Sequence, residues 1–188
     1  MRFASVSAFA AVLAFSAASL SAKPPVPRPA RELSVVEANG KLTLLTSLKG
    51  KVVYVQFLFT TCPHCQALSG VLTKLSHDLG PQGFQALGVA FDDNVTPARA
   101  GLYARQFAGF PVGYASRATV ESYLGMTDDD RFVVPQAVIV DRKGVIRAQT
   151  DVQGTENLQR EDYLRTFITS LLKEGAAPKA ATPAPASK

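Results

Sequence analysis

The chain has 188 residues, a length that suits one domain with short appended segments. Its hydrophobic share of 47% with 19% charged residues is ordinary for a globular protein and excludes a wholly disordered chain. The net charge of +5 comes from the two ends, because residues 33–175 hold equal numbers of acidic and basic side chains. We therefore expect no nucleic-acid partner, which would need a basic surface on the domain itself.

Residues 1–22 have the pattern of a secretory signal peptide. Arg2 precedes an apolar segment, and the small residues that end this segment predict cleavage after Ala22. The apolar stretch is interrupted by serines and falls short of the ~20 strongly apolar residues of a typical membrane span. We expect a periplasmic or secreted protein, with an uncleaved membrane anchor as the alternative.

Composition also sets the domain boundaries. Residues 23–31 include four prolines, which favours an extended linker. Residues 175–188 are mainly Ala, Pro and Lys, which predicts a disordered tail. The apolar patterns of secondary structure lie between these segments, so residues 32–174 are predicted to form one domain.

A turn and a buried strand lead to the central motif of the chain. Asn39-Gly40, between two apolar runs, is typical of a β-hairpin turn. The run that begins at Val52 is apolar, β-branched and aromatic except for Gln56, and predicts a strand buried on both faces. Cys62-Pro63-His64-Cys65 follows this strand, and apolar side chains then recur at helical spacing. They are Leu68, Val71, Leu72, Leu75 and Leu79.

The placement of the two cysteines predicts a redox site. Cys62 falls at or just before the helix N-cap, and Pro63 takes the first helical position, where its missing N–H is harmless. Free amides and the positive end of the helix dipole then favour the Cys62 thiolate, the species that attacks disulfides. Cys65, three residues later, is placed to resolve the mixed disulfide. A cation or hydrogen-bond donor at His64 would favour the thiolate further.

The remaining elements alternate between strands and helices, which predicts an α/β fold with a mixed sheet. We expect Asp92-Asp93, at the end of a buried strand, to form a solvated loop more readily than a metal site. Asp128-Asp129-Asp130 is predicted to be a loop. The predicted strands are 84–91, 110–114, 137–140 and 145–149, and the predicted helices are 97–107, 117–124 and 158–173, with Thr96 and Ser116 as N-caps.

The chain offers few ligands for a metal, and we expect no cofactor. A structural zinc site takes about four ligands. His64 and His77 could join the two cysteines, but His77 follows Cys65 by twelve residues, about 18 Å along a helix.

Three motifs in this order resemble the thioredoxin superfamily. The strand, the Cys-X-X-Cys motif and the helix are its common core. Residues 33–53 resemble the N-terminal hairpin of the TlpA/ResA-type extracytoplasmic thiol–disulfide oxidoreductases, and residues 133–144 resemble their proline-led strand and hairpin. The resemblance covers roughly residues 31–173. It implies a central mixed β-sheet flanked by helices, with an N-terminal β-hairpin extension, and an activity in thiol–disulfide exchange.

The resemblance also assigns roles to individual residues. Pro135 matches the family's cis-proline opposite the cysteines, which would leave the backbone of Val134 free to pair with an extended substrate segment. Gln56 takes the place where many members carry a buried acid, so hydrogen bonds would hold its amide and another group would handle the proton. Cys62-Pro63-His64-Cys65 resembles the active site of the DsbA-type oxidases, although Pro135 follows it too closely for their inserted helical domain.

These features predict an exported oxidoreductase in which Cys62 and Cys65 form the redox disulfide, with a leaning toward oxidation. Its expected partners are exported proteins that contain cysteine, together with a membrane-bound or soluble redox partner. The alternatives are a copper-delivering Sco-like protein, whose distant loop histidine is missing here, and a TlpA-type reductant in cytochrome c maturation. A peroxiredoxin is disfavoured because Val55 and Phe59 occupy the places of its conserved Pro and Thr.

Overall fold

The computed structural model describes residues 24–127 and 130–174. The predicted signal peptide, the predicted tail and two acids of the predicted 128–130 loop lie outside this part. Its strands are β1 (Arg28–Pro29), β2 (Ser34–Glu37), β3 (Leu42–Leu44), β4 (Val52–Leu58), β5 (Phe84–Ala90), β6 (Val112–Tyr114), β7 (Gln136–Val140) and β8 (Val145–Gln149). Its helices are α1 (Pro63–Leu79), α2 (Pro97–Phe107), α3 (Arg117–Leu124) and α4 (Glu161–Glu174).

The strands pair in one mixed sheet in the order β1-β8-β7-β4-β5-β6-β2-β3. β4, β5 and β6 run parallel to one another, and the other neighbours are antiparallel. β4 lies inside the sheet between β5 and β7, and all of its side chains are buried. The predicted thioredoxin-like α/β fold is confirmed.

The side chains of β4 divide the core between the two faces of the sheet. Because successive side chains of a strand point to opposite faces, alternate residues enter different clusters. Val52, Tyr54 and Leu58 pack with side chains of α1, α2 and α4. Val53, Val55 and Phe57 pack with α3 and with the segment that leads into β2. The same alternation places Gln56 on the α1 side.

Helix α1 starts and stops where local sequence requires it. Cys62 has an extended conformation (φ −81°, ψ 117°), and Pro63 is the first helical residue, as predicted. The helix buries an apolar stripe against the sheet, since residues three and four apart share a face. It ends at Leu79 with Gly80 as its C-cap, and Pro81, which lacks an N–H, lies in the short 3₁₀ turn that follows.

The N-terminal hairpin β2–β3 is confirmed. The Gly40 N–H donates to the Glu37 carbonyl at 2.9 Å, and the Lys41 N–H donates to Asn39 Oδ1 at 2.9 Å. Gly40 has φ +83°, which glycine adopts without steric cost. The hairpin extends the sheet by pairing with β6 through Val36 and Tyr114.

Two predicted boundaries differ from the structure. The described part of the predicted 23–31 linker also joins the sheet, because Arg28 and Pro29 pair with β8 and the Ala30 N–H donates to the Gly144 carbonyl at 2.9 Å. The last helix begins at Glu161 and not at Leu158. Leu158 is buried in a 3₁₀ turn, and the extended Arg160 separates that turn from α4.

Across residues 24–127 and 130–174, no helix combines the length and the apolar character that a membrane crossing requires.

The burial of α1 can be tested by its effect on stability. Leu72 is 0% exposed in the centre of the helix, so Leu72→Ala should lower the free energy of unfolding by about 2–5 kcal/mol through lost burial and a cavity. Urea denaturation followed by circular dichroism would measure the change. Leu42, which is 56% exposed, is the matched control. Leu42→Ala should change the free energy of unfolding by less than about 0.5 kcal/mol. Equal effects would contradict the burial of Leu72 in the core.

Candidate active site

Cys62 is the accessible member of the cysteine pair. It is partly exposed at the N-cap of α1, where the Cys65 backbone N–H donates to its Sγ at 3.4 Å. Its own N–H donates to the Phe59 carbonyl at 3.1 Å, which fixes the loop between β4 and α1. A partly exposed sulfur at the positive end of a helix is suited to react as a thiolate.

Cys65 is the inaccessible member. Its side chain is fully buried against α1 and the sheet. Burial raises the pKa of the Cys65 thiol, and the hydrogen bond to Cys62 and the negative charges of Cys62 and Asp92 add to this effect. The two cysteines therefore differ in environment: one can meet a substrate, and the other is held protonated inside the protein.

Pro63 and His64, the two residues between the cysteines, are both exposed. Pro63 has a structural role, because it is the first residue of the helix whose N-terminus faces the Cys62 sulfur. His64 lies on the surface of the first turn beside Cys62. The electrostatic effect of His64 on the Cys62 thiolate stays a prediction.

The loop that carries Val134 and Pro135 lies opposite Cys62. The Val134–Pro135 peptide bond is cis, as the resemblance predicted, and Cys62 Sγ lies 3.7 Å from the Val134 carbonyl oxygen. Gln136, at the start of β7, is fully buried and holds this loop from behind. Its Nε2 donates to the Val133 carbonyl at 2.7 Å and to the Val152 carbonyl at 3.2 Å. No pattern in the sequence predicted this role of Gln136.

Gln56 lies behind the cysteines, where its side chain is fully buried and hydrogen-bonded to protein groups. Its Nε2 donates to the Cys65 carbonyl at 2.9 Å, and its Oε1 accepts from Ser69 Oγ at 2.9 Å. Ser69 Oγ in turn lies 2.8 Å from the Tyr103 hydroxyl. Burial raises the pKa of Tyr103, so this chain of polar groups is uncharged and ties β4, α1 and α2 together.

Asp92 has a part in the site that sequence reasoning missed. Its carboxylate accepts the Thr60 N–H at 2.8 and 2.9 Å and the Thr60 hydroxyl at 3.1 Å. Thr60 lies two positions before Cys62, so Asp92 positions the loop that carries Cys62. Asp93, in contrast, is exposed and pairs with Arg117 at 2.7 Å.

One sequence signal could have indicated this contact. Asp92 follows β5 closely, and Thr60 follows β4 closely. Because the two strands are parallel neighbours, their carboxyl ends meet at one edge of the sheet. An acid after one strand can therefore reach the loop after the other.

Metal ligands do not come together in the part of the chain that the structure describes. No group there of three or more His, Cys, Asp or Glu side chains could hold a metal ion. His77 is exposed near the far end of α1, with its Nδ1 3.0 Å from Asp78. His77 therefore lies toward the opposite end of α1 from the cysteines.

The family follows from sequence comparison. A sequence model of the Redoxin family matches residues 22–166, well over half of the chain. The chain belongs to the Redoxin family. With its cysteine pair at the start of α1, this redoxin is a thiol–disulfide oxidoreductase of the thioredoxin type.

Solved structures agree with this redoxin in fold. A thiol:disulfide interchange protein of the thioredoxin family from Chlorobium tepidum is 23% identical, with a TM-score of 0.64 over 79% of this chain and 99% of that one. One from a Bacteroides species is 20% identical, with a TM-score of 0.63 over 78% of this chain and 90% of that one. The thioredoxin domain of a thiol-disulfide oxidoreductase from Bacteroides vulgatus is 19% identical, with a TM-score of 0.63 over 78% and 96%. A search of curated proteins gives no match.

The environment of Cys65 predicts the pH dependence of the intramolecular step. Because burial raises its pKa, the rate at which Cys65 attacks a mixed disulfide on Cys62 should rise about tenfold per pH unit from pH 6 to pH 9, without a plateau. Rapid mixing of the reduced protein with oxidised glutathione, acid quench and mass analysis would give this rate. A plateau below pH 8 would contradict the buried, protonated Cys65.

The same assay tests Asp92. Asp92→Asn keeps an oxygen that can accept the Thr60 N–H but removes the negative charge that disfavours the Cys65 thiolate. We expect the pH–rate profile to move to lower pH by less than about one pH unit. The rate at neutral pH should therefore rise about twofold. Asp93→Asn is the charge-matched control, because Asp93 pairs with Arg117 and should leave the profile in place.

Proposed function

We propose that this redoxin is exported and exchanges disulfides with cysteine-containing exported proteins, with Cys62 as the nucleophile and Cys65 as the resolving thiol. The observation that supports these roles is the difference in exposure between the two thiols. The Cys62 sulfur is partly exposed at a helix N-terminus, whereas Cys65 is buried behind it with its N–H on the Cys62 sulfur.

In the oxidising direction, the protein starts with a Cys62–Cys65 disulfide. A substrate thiolate attacks Cys62 Sγ, the bond between the two cysteines breaks, and Cys65 leaves and takes up a proton. A second substrate thiolate then attacks the substrate sulfur of the mixed disulfide, which forms the substrate disulfide and expels the Cys62 thiolate. Burial raises the pKa of the Cys65 thiol, which favours its uptake of a proton when it leaves. A reductant would follow these steps in reverse.

The loop at Val134 supplies a second contact for the substrate in this proposal. The Val134 carbonyl lies beside Cys62 Sγ, and Gln136 holds the neighbouring Val133 carbonyl. An extended segment around the substrate cysteine would add to the Val134 backbone like a strand, which aligns its sulfur with Cys62. Pro135 shapes this loop and keeps it opposite the cysteines.

We propose an oxidising direction from the electrostatics of the Cys62 sulfur. The amide of Cys65 and the dipole of α1 both favour a thiolate there, and a protonated His64 in the same turn would add to them. Stabilising the thiolate stabilises the reduced pair, and every 1.4 kcal/mol raises the reduction potential by about 30 mV.

Export gives the exchange reaction a suitable compartment. The signal-peptide pattern of residues 1–22 supports cleavage after Ala22, and disulfides persist in the periplasm and outside the cell. The redox partner that restores the active pair would be another protein of that compartment or of its membrane.

The roles of the two thiols can be tested by trapping. Cys65→Ser should accumulate mixed disulfides between Cys62 and partner proteins, because the resolving thiol is gone. Cys62→Ser should trap none, since Cys65 is 0% exposed. Non-reducing electrophoresis and mass spectrometry of exported fractions would show the complexes and identify the partners. Complexes that form through Cys65 would reverse the assignment.

The direction can be tested by the equilibrium reduction potential. We expect a value well above the roughly −270 mV of thioredoxin, and His64→Ala should lower it by about 10–30 mV, which corresponds to about 0.5–1.4 kcal/mol. Equilibration with glutathione buffers followed by thiol alkylation would give both potentials. His77→Ala, at the far end of α1, is the matched control and should not change the value. A potential equal to that of thioredoxin would indicate a reductant.

A further inference from the structure

A groove lies between helix α2 and the loop that leads into Cys62. Thr60 and Thr61 form one wall, and Arg99, Leu102, Gln106 and Phe107 form the other. Because Thr61 directly precedes Cys62, one wall of the groove belongs to the loop that carries this cysteine. It lies on the α2 side of Cys62, whereas the Val134 loop contacts the sulfur through its own carbonyl.

The α2 wall of this groove combines apolar and cationic surface. Leu102 is 47% exposed, although most large apolar side chains of the domain are buried. Phe107 packs on the ring of Tyr103, with 5.2 Å between the ring centroids. Arg99 lies three residues before Leu102, on the same side of the helix.

Arg99 is available to a ligand. Its side chain is exposed, and its Nη1 donates to the Asn94 carbonyl at 3.2 Å. The two acids that most closely precede Arg99 in the chain have other partners, since Asp92 binds Thr60 and Asp93 pairs with Arg117. Within residues 24–127 and 130–174, Arg99 forms no ion pair. Its remaining guanidinium donors can therefore bind a carboxylate in the groove.

We propose that the groove binds the substrate segment next to the reacting cysteine and favours an acidic side chain there. The carboxylate pairs with Arg99, and apolar atoms of the same segment cover Leu102. This inference rests on the proposed function and defines its substrate class: polypeptides with Asp or Glu close to the exchanging cysteine.

Arg105 supplies a matched control on the same helix. It is exposed and carries the same charge, but it does not line the groove. A Cβ atom at Gly101 would lie 2.8 Å from the Ala38 Cβ and 3.5 Å from Arg105 Nη1, so Arg105 lies on the side of α2 that faces the end of β2.

The test uses peptides that carry one cysteine activated as a 2-pyridyl disulfide, with Glu, Gln or Lys placed on either side of it. The Cys62 thiolate of the Cys65→Ser protein attacks the peptide sulfur and releases 2-thiopyridone, whose absorbance gives the rate. Each rate is divided by that of the same protein with 2,2′-dithiodipyridine, which has no peptide segment. This ratio removes any change in the reactivity of Cys62 itself.

We expect the Glu peptides to react about two- to fivefold faster than the Lys peptides, which is the range of an exposed ion pair. The preference should decrease in high salt, reverse in Arg99→Glu and persist in Arg105→Glu. Equal rates for all peptides, or an equal change in both variants, would overturn the inference while leaving the proposed function intact. If the unaltered protein exchanged no disulfide with any peptide, the proposed function itself would be wrong.

Discussion

The burial of β4 on both faces is the constraint on which the rest of the structure depends. A strand inside the sheet must be covered on both sides, so α1 folds back over one face while α3 and the N-terminal segment cover the other. The chain has only the short loop between Leu58 and Pro63 in which to reverse. The N-terminus of α1 is therefore held at the carboxyl edge of the sheet, and Cys62 with it.

Three other segments reach this edge because of strand order. β5 runs parallel to β4 and brings Asp92 to the same end, and α2 follows from there. β7 runs antiparallel to β4, so its first residue, Gln136, and the preceding Pro135 lie at that end too. Side chains far apart in sequence thus surround Cys62 without any long insertion.

Local signals made much of this structure predictable. Cys62, Thr96 and Ser116 are N-caps where the sequence predicted them, because capping depends on the few residues around each helix start. The cis bond at Pro135 was expected only from the resemblance to a known family. The loop-holding contacts of Asp92 and Gln136 were missed, because each joins segments whose proximity depends on the pairing of strands.

The short strand β1 affects whether this edge of the sheet can pair with other copies of the protein. Unpaired N–H and C=O groups at the edge of a sheet can recruit a strand from another molecule, which leads to aggregation. Within the described residues, Arg28 and Pro29 are the two strand residues that pair with β8 along this edge. Pro27 and Pro29 have no N–H to offer outward, and the charge of Arg28 opposes the stacking of identical edges. The proline-rich segment thereby acts as a cap that protects this side of the sheet from intermolecular strand exchange.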